Sequence, residues 1–212
     1  MIHEPSWAWT TLFLLGAFHG INPAMGWLFA VALGLQKQNS RAVWQSLLPI
    51  ATGHVLAISV VILVAALAGA VLPLSVMKVC VVVVLLGFGV YRIVGKSHPH
   101  WGGMQVGFRD LTIWSFLMAS AHGAGFMLLP VLLGMSAMGG THEMQAMNSS
   151  GIGVQLLAIT IHTFGFLVVT GVIAWVVYKW VGLSLLRKAW LNLDLVWAVA
   201  LIATAGVTLL FS

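Results

Sequence analysis

The chain has 212 residues, 61% of them hydrophobic and only 6% charged. An ordinary soluble domain carries about a quarter charged residues, so that class is excluded. The formal net charge of +5 suggests nucleic acid at first sight, but the basic residues sit in the connections between apolar runs and leave no patch for such a partner. Runs of about the 20 residues that cross a bilayer recur along the whole length, as expected of one integral membrane domain. A single cysteine, Cys80 in a valine run, makes neither a disulfide nor a redox pair. The first residues, Met1-Ile2-His3-Glu4-Pro5, lack the basic start of a signal peptide, so the first apolar run is expected to be retained as a span.

In chain order, the first segment extends from Trp7 to Leu35 and is interrupted by Gly20 and Pro23, which predicts a tilted or broken helix. The loop Gln36 to Arg41 leads to a second segment, Val43 to Val71, with Pro49 and His54 inside it. After a turn at Leu72-Pro73 comes a third, Val76 to Val94, rich in valine. A polar connection from Lys96 to Asp110, with His98-Pro99-His100, follows. The fourth segment runs from Leu111 to Met135, the loop Ser136 to Ser150 comes next, the fifth spans Ile152 to Trp175, and the sixth spans Trp190 to Phe211.

Six spans place both termini on one side, and the distribution of Lys and Arg decides which. Lys37 and Arg41, Lys96 and Arg109, and Lys179, Arg187 and Lys188 fall in the first, third and fifth connections, whereas the opposite side has only Lys78. The expected location is therefore the cell membrane, as in a bacterial inner membrane, with both termini outside. Trp7, Trp9, Trp101, Trp175, Trp180 and Trp190 lie near the span ends, as an interfacial belt requires.

The two halves echo each other. His19-Gly20 in the first segment matches His122-Gly123 in the fourth, and Thr52-Gly53-His54 in the second matches Thr160-Ile161-His162 in the fifth. Because three spans is an odd number, the second half enters from the opposite side. The expected fold is thus an all-α membrane protein of six transmembrane helices in two inverted three-helix repeats, residues 1–95 and 111–212, joined by a cytoplasmic linker at 96–110. Transporters of that plan bind substrate near the midplane, on discontinuous helices.

Polar groups left unpaired at membrane depth cost roughly 2–7 kcal/mol, so the four histidines are expected to face inward. Imidazole is the commonest metal ligand and suits borderline ions. His19, His54, His122 and His162 are therefore the candidate metal ligands, with hydrogen bonding between helices as the structural alternative. Asn22 offers a carbonyl ligand or an orienting hydrogen bond, Pro23 a freed carbonyl or a simple kink. Met25 and Met127 are possible thioether ligands for a soft ion, or else core residues. Thr52 and Thr160, two residues before their histidines, lie on a different helix face and are expected to cap, bond backbone carbonyls or bridge helices. The loop after the fourth segment carries Met138, His142 and Met144, suited to capturing a soft metal or to lying at the interface as an amphipathic stretch. Asp110 and Asp194 suit helix N-termini.

At His19-Gly20-Ile21-Asn22-Pro23-Ala24-Met25 the sequence resembles the NicO family of nickel/cobalt exporters and, more loosely, the wider lysine-exporter clan. The family's run is His-Ala-x-Glu-Pro-Gly-His. The His and Pro match, while Asn22 stands in place of the acid and Met25 in place of the second His. The resemblance implies six helices in two inverted triplets and export of a transition-metal ion. Electron carriers of the same clan need paired cysteines, which this chain lacks.

The functional expectation is transport of a transition-metal ion through a midplane four-histidine site, with Cu(I) slightly ahead of nickel, cobalt and zinc because of the methionines. Its partners are then the lipid bilayer and the ion, with a homo-oligomer or larger membrane complex left open. One alternative is a membrane redox protein or metalloenzyme, with haem or a fixed metal held by histidine pairs. Another is a structural subunit of a membrane complex.

Overall fold

A computed structural model describes residues 6–69, 72–94, 107–138, 151–181, 199, 201–206 and 208. Its elements are α1 (Ser6–Ile21), a 3₁₀ turn (Pro23–Met25), α2 (Trp27–Gln36), α3 (Ser40–Gly69), α4 (Leu74–Val94), α5 (Phe108–Ala121), α6 (Ala124–Met138), α7 (Gly151–Val176) and a π turn (Val177–Val181). Residues 199, 201–206 and 208 are also helical, and no strand occurs among the described residues.

The first apolar segment is broken, and local chemistry explains where. Pro23 clashes with a helical residue before it, and Asn22 accordingly takes an extended conformation (φ −69°, ψ 120°). Asn22 Oδ1 then accepts from Ala24 N at 2.9 Å, starting a new turn with Pro23 at its first position, where a missing N–H costs nothing. Gly26 (φ +138°) turns the chain into α2. The fourth segment breaks as well, at the matching His-Gly. Gly123 there has φ +69°, a conformation favoured by glycine, and α6 leaves α5 at 55°. Pro49 and Pro130, by contrast, lie inside continuous helices.

Two stretches are long and apolar enough to cross a membrane, Ser40–Gly69 and Gly151–Trp180, with mean hydropathies of 2.4 and 2.2. The bent pair α5–α6 makes a third if taken as one span. Trp27–Gln36 and Ser75–Tyr91 are shorter apolar helices. The linker expected at 96–110 gives way to helix from Phe108. Residues 96–106, the loop with His142 and Met144, and most of the expected sixth segment lie outside the described residues. Met138 ends α6, and its side chain is also outside them.

Helix pairing centres on two crossings, α1 with α7 and α3 with α5, and α3 also packs on α7. The half-helices α2 and α6 each lean on α3, and α4 packs on α6. Small residues permit the crossings. A Cβ at Gly16 would overlap the carbonyl of His162, one at Gly165 the carbonyl of Phe13, and one at Gly53 the carbonyl of Thr112. The backbones therefore touch directly, as in small-residue membrane interfaces. Large apolar side chains such as Leu48, Leu63, Leu67, Val83 and Phe164 point outward, while His19, Asn22, Ser46, His54, His122 and His162 are buried.

Gly16→Ala is expected to destabilise the chain by about 1–3 kcal/mol through overpacking. Gly87→Ala, at an open helical position with nothing within 4 Å, is expected to stabilise it by about 0.5–1 kcal/mol. Thermal unfolding of the two purified variants checks the pair; equal midpoints would show that the α1–α7 crossing is looser than described.

Candidate functional site

Three of the four candidate histidines meet. His19 comes from the last turn of α1, His54 from the middle of α3 and His162 from the middle of α7. Their ring centroids stand 5.9 Å apart for His19–His54, 5.2 Å for His19–His162 and 5.4 Å for His54–His162. All three are inaccessible to solvent. The α1–α7 crossing supplies the His19–His162 pair and the α3–α7 contact the His54–His162 pair. His122 is buried at the break between α5 and α6, the counterpart of the break after His19.

Hydrogen bonds orient three of the rings. His19 Nδ1 lies 2.8 Å from Leu15 O, His122 Nδ1 2.7 Å from Met118 O, and His162 Nδ1 3.2 Å from Leu12 O. A carbonyl oxygen has no proton to give, so in each case Nδ1 carries the hydrogen and donates. In a neutral ring so held, Nε2 bears the lone pair. This second-atom tether to a carbonyl is how metal-binding imidazoles are commonly fixed in tautomer and direction. His19 and His122 each reach back one turn on their own helix, whereas His162 reaches across to α1.

His54 is held differently. Neither of its ring nitrogens has a hydrogen-bond partner among the described residues, and His162 Nε2 has none there either. The His54 ring instead stacks on Phe166, with centroids 4.0 Å apart and planes 11° from parallel, and it lies within 4° of parallel to His162.

Imidazoles that share one ion through bonds of about 2.0–2.1 Å have centroids on the order of 5 Å apart at tetrahedral angles. The observed spacing meets that requirement. Direction is a separate condition, and among the described residues no group of three or more His, Cys, Asp or Glu side chains is disposed to hold a metal ion.

The accessory candidates separate. Asn22 is buried and its Oδ1 caps the 3₁₀ turn, while Nδ2, a donor, has no partner among the described residues. Met25 packs in an apolar cluster with residues of α1, α2, α3 and α7, and Met127 in a second one against α3 and α4. Thr52 Oγ1 donates to Leu48 O at 2.9 Å and Thr160 Oγ1 to Leu156 O at 2.7 Å. Both threonines are thus satisfied on their own helices, as one of the expected alternatives had it.

Sequence reading missed several residues here. Phe166 lies one turn after His162, on the same face of α7, so helical period was a usable signal. Ser115 Oγ donates to Ile50 O at 2.7 Å and Trp114 Nε1 to Ala24 O at 3.0 Å, tying α5 to α3 and to the broken turn. Thr163 is buried with Oγ1 unpartnered among the described residues. No local pattern marks those three. Comparison of the chain with family models, with curated proteins and with solved structures finds no match to any of them.

Nitrogen-15 NMR of histidine-labelled protein is expected to show His19, His122 and His162 as Nδ1–H tautomers. A pattern with Nε2 protonated on these rings would contradict the carbonyl tethers.

Proposed function

We propose that this chain is a membrane carrier for a transition-metal ion, which it binds at the meeting point of His19, His54 and His162. The observation that carries the reading is that convergence: three imidazoles from three helices, deeply buried, beside a break in the first helix. Ionisable side chains are costly inside a protein core or a membrane, and at membrane depth they mark ion pathways by default. His122, at the second break, is assigned to the same path.

The setting supports a membrane. The exterior of α3, α4 and α7 is apolar and the polar residues are inside, the arrangement that lipid as solvent demands. The location proposed is a bacterial inner membrane with both termini outside, on the Lys and Arg distribution described above.

The six-helix inverted repeat is also part of the proposal. Under it, α1 corresponds to α5 and α3 to α7, so the α1–α7 and α3–α5 crossings are equivalents. Buried small residues then fall in matching places: Gly16 and Ala119 three residues before their histidines, Ala57 and Gly165 three residues after theirs. The first helix of one half breaks three residues after His19 and that of the other at His122, as half-helices do around transporter sites.

The donors gathered are imidazole nitrogens, while Met25 and Met127 pack in apolar clusters. Nitrogen donors suit zinc, nickel and related borderline divalent ions, whereas Cu(I) is selected by thiolate and thioether. Divalent ions are therefore the substrate class proposed, ahead of Cu(I).

Purified protein in liposomes is expected to pass Co²⁺, Ni²⁺ or Zn²⁺. His54→Ala or His162→Ala should lower that flux by at least the order of 10- to 100-fold seen when a metal ligand loses its supporting partner. Undiminished flux in both variants would remove the histidines from the path. Metal bound stoichiometrically and retained through dialysis would indicate a resident centre instead of a cargo.

A further inference from the structure

We infer that the end of the bundle where α2, α3 and α7 come together binds an anionic phospholipid, whose phosphate is taken by Lys37, Arg41 and Lys179 and whose glycerol region lies against Trp44 and Trp175. This rests on the membrane reading above and adds a lipid partner to it.

The register of α3 against α7 fixes what meets there. His54 lies beside His162 and Phe166, with ring centroids 5.4 and 4.0 Å away, whereas Gly171 lies beside Leu47 and Trp44. Going back along α3 thus goes forward along α7, and the two helices are antiparallel. A Cβ on Gly171 would stand 3.3 Å from the Trp44 ring, so the indole is laid over the place where α7 has no side chain. One turn nearer the end of the bundle, Arg41 falls on the Trp44 face of α3 and Trp175 on the Gly171 face of α7. Lys179 comes one turn later again on that face. Helix α2 ends in the same region. The ring of Tyr178 comes within 3.0 Å of a Cβ on Gly34, and Lys37 follows Gly34 by three residues. Three elements therefore deliver one cation each to one end of the molecule.

Charge and exposure set this patch apart. Lys37, Arg41, Trp44, Trp175 and Lys179 are all exposed. Asp110 is the one carboxylate among the described residues, and its oxygen accepts from Gly107 N at its own helix start. None of the three cations has an ion-pair partner among the described residues. Like charges gathered without an acid repel one another, and an anion seated among them removes that cost. The indoles differ in the same way. Trp27 and Trp114 donate to Ile21 O and Ala24 O, while the N–H groups of Trp44 and Trp175 have no partner among the described residues. An apolar ring with a free N–H suits the headgroup level of a bilayer.

On the inner side of the two indoles, Leu48 and Val172 are exposed and aliphatic. Cations outermost, indoles next and aliphatic side chains beneath follow the order of phosphate, glycerol and acyl chain in a phospholipid. A choline headgroup would bring a fourth cation to the patch, so the lipid class is anionic.

Brominated phosphatidylglycerol and brominated phosphatidylcholine, each in bilayers of ordinary phosphatidylcholine, are the probes, and quenching of tryptophan fluorescence reads their relative binding constants. Wild type is expected to prefer phosphatidylglycerol. Arg41→Gln and Lys179→Gln are each expected to lower that preference by up to about fivefold, the factor for one cation at the headgroup level, and raising sodium chloride to about 0.5 M is expected to weaken it. Lys78→Gln, at the start of α4 beyond the other end of α3, is expected to leave it unchanged. Equal quenching by the two lipids, or a loss in Lys78→Gln equal to that in Arg41→Gln, overturns the lipid site while leaving the membrane reading intact. Displacement of phosphatidylglycerol by inorganic phosphate overturns it in favour of a soluble anion. Protein that does not enter bilayers overturns the membrane reading and this inference with it.

Discussion

The backbone contact between α1 and α7 sets the geometry of everything near the histidines. Gly16 and Gly165 remove the two side chains that would hold these helices apart. The carbonyl pressed against Gly16 belongs to His162 itself, so the crossing point and the site coincide. At that separation Leu12 O comes within 3.2 Å of His162 Nδ1, and the His19 ring two turns further along α1 comes within 5.2 Å of the His162 ring. One steric condition therefore provides packing, ring orientation and ring spacing together.

The α3–α5 crossing repeats the device with different atoms. Gly53, directly before His54, lets Thr112 of α5 approach, and Ser115 bonds Ile50 O one turn before His54. His54 is thereby carried to the other two rings by its backbone, while its own nitrogens stay uncommitted among the described residues. The two kinds of histidine divide the labour. His19 and His162 are fixed by carbonyls, and His54 is fixed by the face of Phe166. A hydrogen bond specifies direction far more sharply than a stack does.

Buried polar atoms without partners are uncommon in folded chains and each costs on the order of 1–3 kcal/mol. Here the described ones gather in a few places: His54, His162 Nε2, Asn22 Nδ2 and Thr163 Oγ1. Elsewhere in the described interior, Ser46, Ser115 and Thr170 hydroxyls find backbone carbonyls.

From the order of residues alone it was legible that the chain is helical, that its first segment is broken and that four histidines lie inside. Each of these follows from neighbours along the chain. Pro23 bars a helical Asn22, hydrophobic runs call for helices, and an imidazole is expensive among apolar groups unless it faces inward. The fourth segment was legible as one apolar run, but its break at His122-Gly123 was not, because a glycine permits a left-handed turn without requiring one.

The tertiary structure alone decided which rings meet, that Met25 and Met127 go to apolar packing, that Thr52 and Thr160 turn back to their own helices, and that Phe166 covers His54. Those outcomes depend on how closely helices far apart in sequence can approach. Such distances are set by the sum of side-chain volumes at each crossing, a quantity no short stretch of sequence contains.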